Sequence, residues 1–156
     1  MRIFVVGTIL LLAILLSCIS LASLPKQELP AARNSLELPS PADRIKEDQI
    51  LVYEDMIIIK LSNVSLARYA DTNSMDPVID KEATGIEIVP KSEDDVHIGD
   101  IIVYENSGEL IVHRVIAINY DEKGKYFIVK GDNNPTQDPK KVRFQDIKYI
   151  LVGILY

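Results

Sequence analysis

DIIVYENSGELIVHRVIAINYDEKGKYFIVK, residues 100–130, is the stretch on which the fold turns. Three runs rich in Ile, Val and Tyr stand in it: DIIVYE (100–105), ELIVHRVIAI (109–118) and KYFIVK (125–130). ENSGE (105–109) and NYDEKGK (119–125) join them, each with a glycine where positive φ is easiest, as hairpin connections require. In the middle run, period-2 alternation puts Leu110, Val112, Arg114, Ile116 and Ile118 on one face. Ile111, His113, Val115 and Ala117 fall on the other.

Similar short runs lie on either side: MIIIK (56–60), VSLARYA (64–70) and GIEIV (85–89) before, IKYILVGILY (147–156) after. No amphipathic helix, internal repeat or low-complexity tract interrupts them. Seven strands in the C-terminal two thirds predict a mainly β fold: a small antiparallel domain over 48–156, built as a barrel or as two packed sheets.

The amino-terminal third is different. IFVVGTILLLAILLSCISLASL, Ile3 to Leu24, carries no charge over 22 residues. As a helix it would extend roughly 33 Å, enough for a hydrocarbon core of about 30 Å. The expectation is one transmembrane anchor over 1–24. Two alternatives stay open: a cleavable signal ending at the small-x-small Ser20-Leu21-Ala22, or a lipoprotein signal with Leu15 to Cys18 as its box. Residues 25–47 hold four of the eight prolines and little periodicity, the composition of a spacer.

Composition excludes several function classes. A net charge of −6 argues against nucleic acid as partner. A single cysteine, Cys18, permits neither an internal disulfide nor a cysteine-based zinc site. With two histidines in the chain, the expectation is side-chain chemistry without metal or cofactor.

DTNSMDP (71–77) is a turn by composition, or a shaped loop presenting Ser74 as a nucleophile with the Thr72 hydroxyl nearby. A serine needs a base. His113 is the candidate, although taken alone it reads as a core-edge histidine bonded to a backbone carbonyl. His97, in the acidic EDDVHIGD, reads as a solvated loop residue. A histidine base works better with a carboxylate on its other nitrogen, and KGDNNPTQDP (130–139) offers Asp132 and Asp138. That loop is again a turn by composition, and its spacing does not fit an EF-hand calcium loop.

Taken in order, these segments resemble the boxes of type I signal peptidases, membrane-bound serine peptidases that remove signal peptides. TNSMDP (72–77) is similar to the nucleophile box, HIGDIIVYE (97–105) to the Gly-Asp strand, and LIVHRVIAI (110–118) to the box carrying the general base. VKGDNN (129–134) and VGILY (152–156) resemble the last two, so the likeness covers residues 68–156 together with the anchor. Histidine at the base position is the archaeal and endoplasmic-reticulum pattern, where most bacterial members carry lysine.

The resemblance implies Ser74 as nucleophile, His113 as base and Asp138 as catalytic acid, with Asp132 supporting the loop. It also implies an oxyanion hole from the Ser74 N–H and Thr72. Signal-peptide-bearing preproteins are the implied substrates, with membrane lipid and translocon or accessory subunits as partners. A single-pass protein with its catalytic domain on the extracytoplasmic side follows. Three departures stand out: Thr72 and Asn73 replace the usual Ser-Gly, Asp76 replaces the usual Glu, and Gln137 precedes Asp138 where Asp is usual. The alternative is a catalytically inactive, membrane-tethered relative that binds peptides. A self-cleaving repressor of related fold would need a lysine base and a DNA-binding module.

Overall fold

The computed structural model describes residues 37–156. The expected anchor over 1–24, Cys18 and the first part of the Pro-rich spacer lie outside the described residues. Among the described residues no helix is long and apolar enough to cross a membrane. The domain is mainly β, with all paired strands antiparallel.

β1 (Ile50–Val52) and β2 (Ile57–Ile59) form a separate hairpin. The remaining strands are β3 (Val64–Arg68), β4 (Thr84–Ile88), β5 (Ile101–Asn106), β6 (Glu109–Asp121), β7 (Gly124–Lys130) and β8 (Ile147–Leu155). They make one six-stranded sheet in the order β3-β4-β8-β5-β6-β7. The order is linear, with β3 and β7 at its ends. Of the expectation, the mainly β, antiparallel character stands, while one six-stranded sheet and a separate hairpin take the place of a barrel or two packed sheets. Phe127 of β7 also bridges to Val142.

β1 was not among the expected strands: at three residues it shows no period of its own, and only its pairing with β2 marks it as a strand. The hairpin it forms is apolar and largely solvent-facing: Val52 is 73% and Ile57 65% exposed. By contrast, Ile101 to Tyr104 of β5 are all buried, the mark of a strand covered on both faces.

One face carries Ile102, Tyr104, Val115, Phe127, Val129 and Ile150 in the larger cluster. The other carries Ile101 and Leu151, covered by Met75, Ile79 and Ala83 from the segment that joins β3 to β4. The sheet and the segment that carries Ser74 are therefore held together by apolar packing.

Alternation in β6 does not run through unbroken. The β6–β7 register shifts between Val115 and Ala117, leaving Ile116 as an inserted residue. A bulge of one residue turns the following side chains over. Ile118 consequently packs against the cluster that contains Val115, not on the face opposite to it as strict alternation requires.

The last part of the expected spacer packs on the domain. Arg44 forms an ion pair with the fully buried Asp100, and Ala42 N–H donates to Asp100 Oδ1 at 3.0 Å. Gly99, at φ +97°, leaves so little room that a Cβ would lie 2.0 Å from the Ser40 carbonyl oxygen. A Pro-Ser-Pro composition reads as solvated chain, yet the buried carboxylate of Asp100 needs donors and these residues supply two of them.

Candidate active site

The β5–β6 register places His113. His113 lies opposite Ile102 and Tyr104 opposite Ile111. His113 and Tyr104 therefore face the same side of the sheet, two residues out of register. The loop after β7 returns over that side, its end pinned where Asp138 N–H donates to the Val129 carbonyl at 2.9 Å. Asp138 Oδ2 then lies 2.6 Å from His113 Nδ1, and the Tyr104 hydroxyl donates to the same oxygen. Both His113 and Asp138 are nearly buried, with side chains 9% and 12% exposed. A carboxylate only accepts, so Nδ1 carries the imidazole proton and Nε2 is left with the lone pair.

Asp132 goes elsewhere. The side chain after His113, Arg114, points to the opposite face, and its Nε and NH2 hold the two Asp132 oxygens at 2.8 and 2.6 Å. Arg114 NH1 also donates to the carbonyls of Gly99, at 2.8 Å, and Pro39, at 3.2 Å. Two adjacent residues of one strand thus sort the two carboxylates of one loop. Asp138 touches the imidazole; Asp132 ties the loop to the sheet and to the amino-terminal segment.

The Ser74 loop is fastened to the same region. Asn133 N–H donates to the Ser74 carbonyl at 3.0 Å, and the Asn133 side-chain amide donates to the Asn73 carbonyl at 2.9 Å. Approach is close enough that a Cβ on Gly131 would sit 2.5 Å from the Ser74 carbonyl oxygen. Asn73 has φ +57°, a left-handed conformation that asparagine adopts more readily than most side chains. It fills a position where glycine is usual in the resembling box, and the chain path is made without one. Met75, directly after the serine, is buried and anchors the loop in the smaller apolar cluster.

Ser74 Oγ is 3.1 Å from Thr72 Oγ1. Among the described residues, no acceptor is hydrogen-bonded to the Ser74 N–H. Ser74, Thr72 and His113 line one cavity of about 470 Å³. Its wall is largely apolar, with Ala70, Met75, Ile79, Ile111 and Val112 among the lining residues. These are residues that no pattern in the sequence singled out, because their role comes from where the loop and β6 meet.

The cavity runs along a strand edge. β5 pairs β6 over Glu109 to Arg114, but β7 pairs β6 only from Arg114 onward. Residues 109–113 thus have one free edge among the described residues, and all five line the cavity. Tyr69 and Ala70, following edge strand β3, also line it. His97 is solvent-exposed on a loop, as read from its acidic surroundings, with its ring near Arg44. Among the described residues no group of three or more His, Cys, Asp or Glu side chains is placed to hold a metal ion.

No protein-family model matches the chain. It is 42% identical over 45 residues to an uncharacterized protein of Methanocaldococcus jannaschii. That match spans 28% of this chain and 22% of the archaeal protein's length.

Proposed function

We propose that this chain is a membrane-bound serine endopeptidase of the signal peptidase I type, acting on signal-peptide-bearing preproteins. The observation that carries the reading is the Asp138–His113 pair beside a cavity that Ser74 also lines. With Nδ1 committed to Asp138, Nε2 is the nitrogen able to take a proton, and the near-buried pair keeps the imidazole oriented.

In this reading the end of a signal peptide adds as an extended strand to the free edge at residues 109–113. Ala70, Met75, Ile79 and Val112 then offer a shallow apolar wall suited to small side chains near the cut. Ser74 attacks the scissile carbonyl and its proton passes to His113 Nε2. Asp138 stabilises the imidazolium, and the Ser74 N–H meets the oxyanion, with Thr72 a second donor. His113 returns the proton to the leaving amine. Water, deprotonated by the same histidine, then releases the acyl group from Ser74. Asp132 supports by holding the 131–134 loop, through Arg114, against the nucleophile segment. The charge-free stretch at 3–24 would serve as anchor, keeping the domain at the extracytoplasmic membrane surface where preproteins emerge. Translocon or accessory subunits would be its partners there, and neither metal nor organic cofactor is required.

A second reading is a non-cutting, membrane-tethered relative that binds peptides in the same groove. The bond from Ser74 Oγ to Thr72, rather than to the imidazole, favours it. Catalytic hydrogen bonds often form only when substrate is present, so this bond does not decide against activity. Full-length protein in lipid, incubated with a preprotein, separates the two. Cleavage at a small-x-small site that is lost in Ser74→Ala supports the peptidase. No cleavage of several preproteins by folded protein favours the binding module. Cleavage that survives Ser74→Ala refutes the assignment of the nucleophile.

A further inference from the structure

We infer that Tyr104 is a positioning residue for the proposed catalytic pair, holding Asp138 by the same carboxylate oxygen that His113 uses. The inference rests on the reading of Ser74, His113 and Asp138 as the reacting group.

Tyr104 is 1% exposed and sits in the larger apolar cluster, on the central strand β5. A buried phenol needs a partner for its hydroxyl, and an apolar residue would fill the site without that need. Its O–H ends on Asp138 Oδ2, the oxygen 2.6 Å from His113 Nδ1. Two donors thus converge on one acceptor atom from two adjacent strands. Burial and the facing carboxylate both raise the phenol well above its ordinary range, so the hydroxyl keeps its proton and remains a donor.

Geometrically, Asp138 comes from a loop and would be free to turn about its side-chain torsions. Tyr104, fixed by the sheet, removes that freedom at the oxygen that matters. Electrostatically, a donated hydrogen bond disperses carboxylate charge and so moderates the pull of Asp138 on the imidazolium. Asp138 and Tyr104 are thus the titratable side chains bonded at this point. Lys140 Nζ is the nearby cation, 6.0 Å from the centre of the Tyr104 ring, while Arg114 is engaged on the opposite face.

Tyr104→Phe tests the inference, because it removes one oxygen and leaves the ring packing. Two readouts on full-length protein in detergent micelles are needed. First, the ring signals of His113 are followed against pH by NMR; with only His97 as the other histidine, assignment is direct. The expected result is that His113 titrates at higher pH in the variant, while His97 is unchanged. Second, for preprotein cleavage, kcat should fall roughly tenfold with KM little altered, as loss of one hydrogen bond to a charged group implies. The acidic limb of the rate profile should move to higher pH with it.

A His113 titration identical in both proteins overturns the inference. So does a uniform drop in kcat with an unmoved pH profile, since a purely structural role would give that. If the unmodified protein cleaves nothing, the peptidase reading fails, but the NMR titration still tests the Tyr104–Asp138–His113 coupling.

Discussion

Asp138→Asn and Asp132→Asn should fail in different ways, although both remove one carboxylate from the same ten-residue stretch, 130–139. In Asp138→Asn, the two donors that now converge on Oδ2, Tyr104 O–H and His113 Nδ1–H, meet an amide with a single accepting oxygen. If the amide NH2 turns toward the imidazole, Nδ1 must become the acceptor and Nε2 the protonated nitrogen, which cannot then take the Ser74 proton. The loss in kcat should approach about four orders of magnitude, or about 5.5 kcal/mol of transition-state stabilisation. Folding should change less, because the amide keeps an accepting oxygen at that point and the backbone bond of residue 138 to Val129 is kept.

In Asp132→Asn the balance reverses. The Arg114–Asp132 pair is buried, with side chains 6% and 4% exposed. Removing one charge from such a pair costs about 3–5 kcal/mol. Arg114 keeps its bonds to the Gly99 and Pro39 carbonyls, which puts the cost near the lower end. Against a total stability of about 5–15 kcal/mol for a domain, most molecules stay folded at 25 °C. The assay is denaturant unfolding by circular dichroism beside preprotein cleavage, with rates expressed per folded molecule. Asp138→Asn should be nearly as stable as the unmodified protein and nearly inactive. Asp132→Asn should be destabilised yet retain most of its activity per folded molecule. A larger loss of kcat in Asp132→Asn than in Asp138→Asn would mean that the assignments are reversed.

Gly99→Ala should destabilise the domain by about 1–3 kcal/mol, since it sets a side chain in a left-handed conformation and drives Cβ into the Ser40 carbonyl. Faster proteolysis within residues 37–46 should accompany the loss, and unchanged resistance there would refute the docking of that segment. Glu87, 2% exposed and bonded by the Tyr69 hydroxyl at 3.1 Å, has its carboxyl raised by burial, with the Tyr69 bond opposing. A raised carboxyl holds its proton more tightly in the folded state than in the unfolded one. Its contribution is therefore full below the ordinary glutamate value and is lost as pH rises through the raised one. Glu87→Gln should lack that loss, so its Tm should exceed that of the unmodified protein above this window and not below it. Parallel Tm curves for the two proteins would contradict the argument.

How much of this was legible beforehand differs from element to element. Strands β2 to β8 were visible because each is long or apolar enough to show its period, and Gly108 and Gly124 marked their turns correctly, both at positive φ. β1 is no shorter than β2 and was still missed; its pairing with β2 is what reveals it as a strand. The inserted Ile116 was hidden because a bulge is a property of two strands in register and leaves no trace in one. Ser74, His113, Asp132 and Asp138 could all be singled out as residue types.

What the amino-acid order alone determined is therefore local: β-structure from the Ile, Val and Tyr runs, hairpins from the glycines, and a set of residues with the right chemistry. Which carboxylate meets the imidazole was decided only by tertiary structure. His113 and Arg114 are neighbours in the chain but face opposite sides of the sheet, and the loop after β7 delivers one aspartate to each. Tyr104 was invisible as a partner for the same reason. Its hydroxyl reaches Asp138 across 34 residues of chain, through strand pairing and packing that no local pattern records.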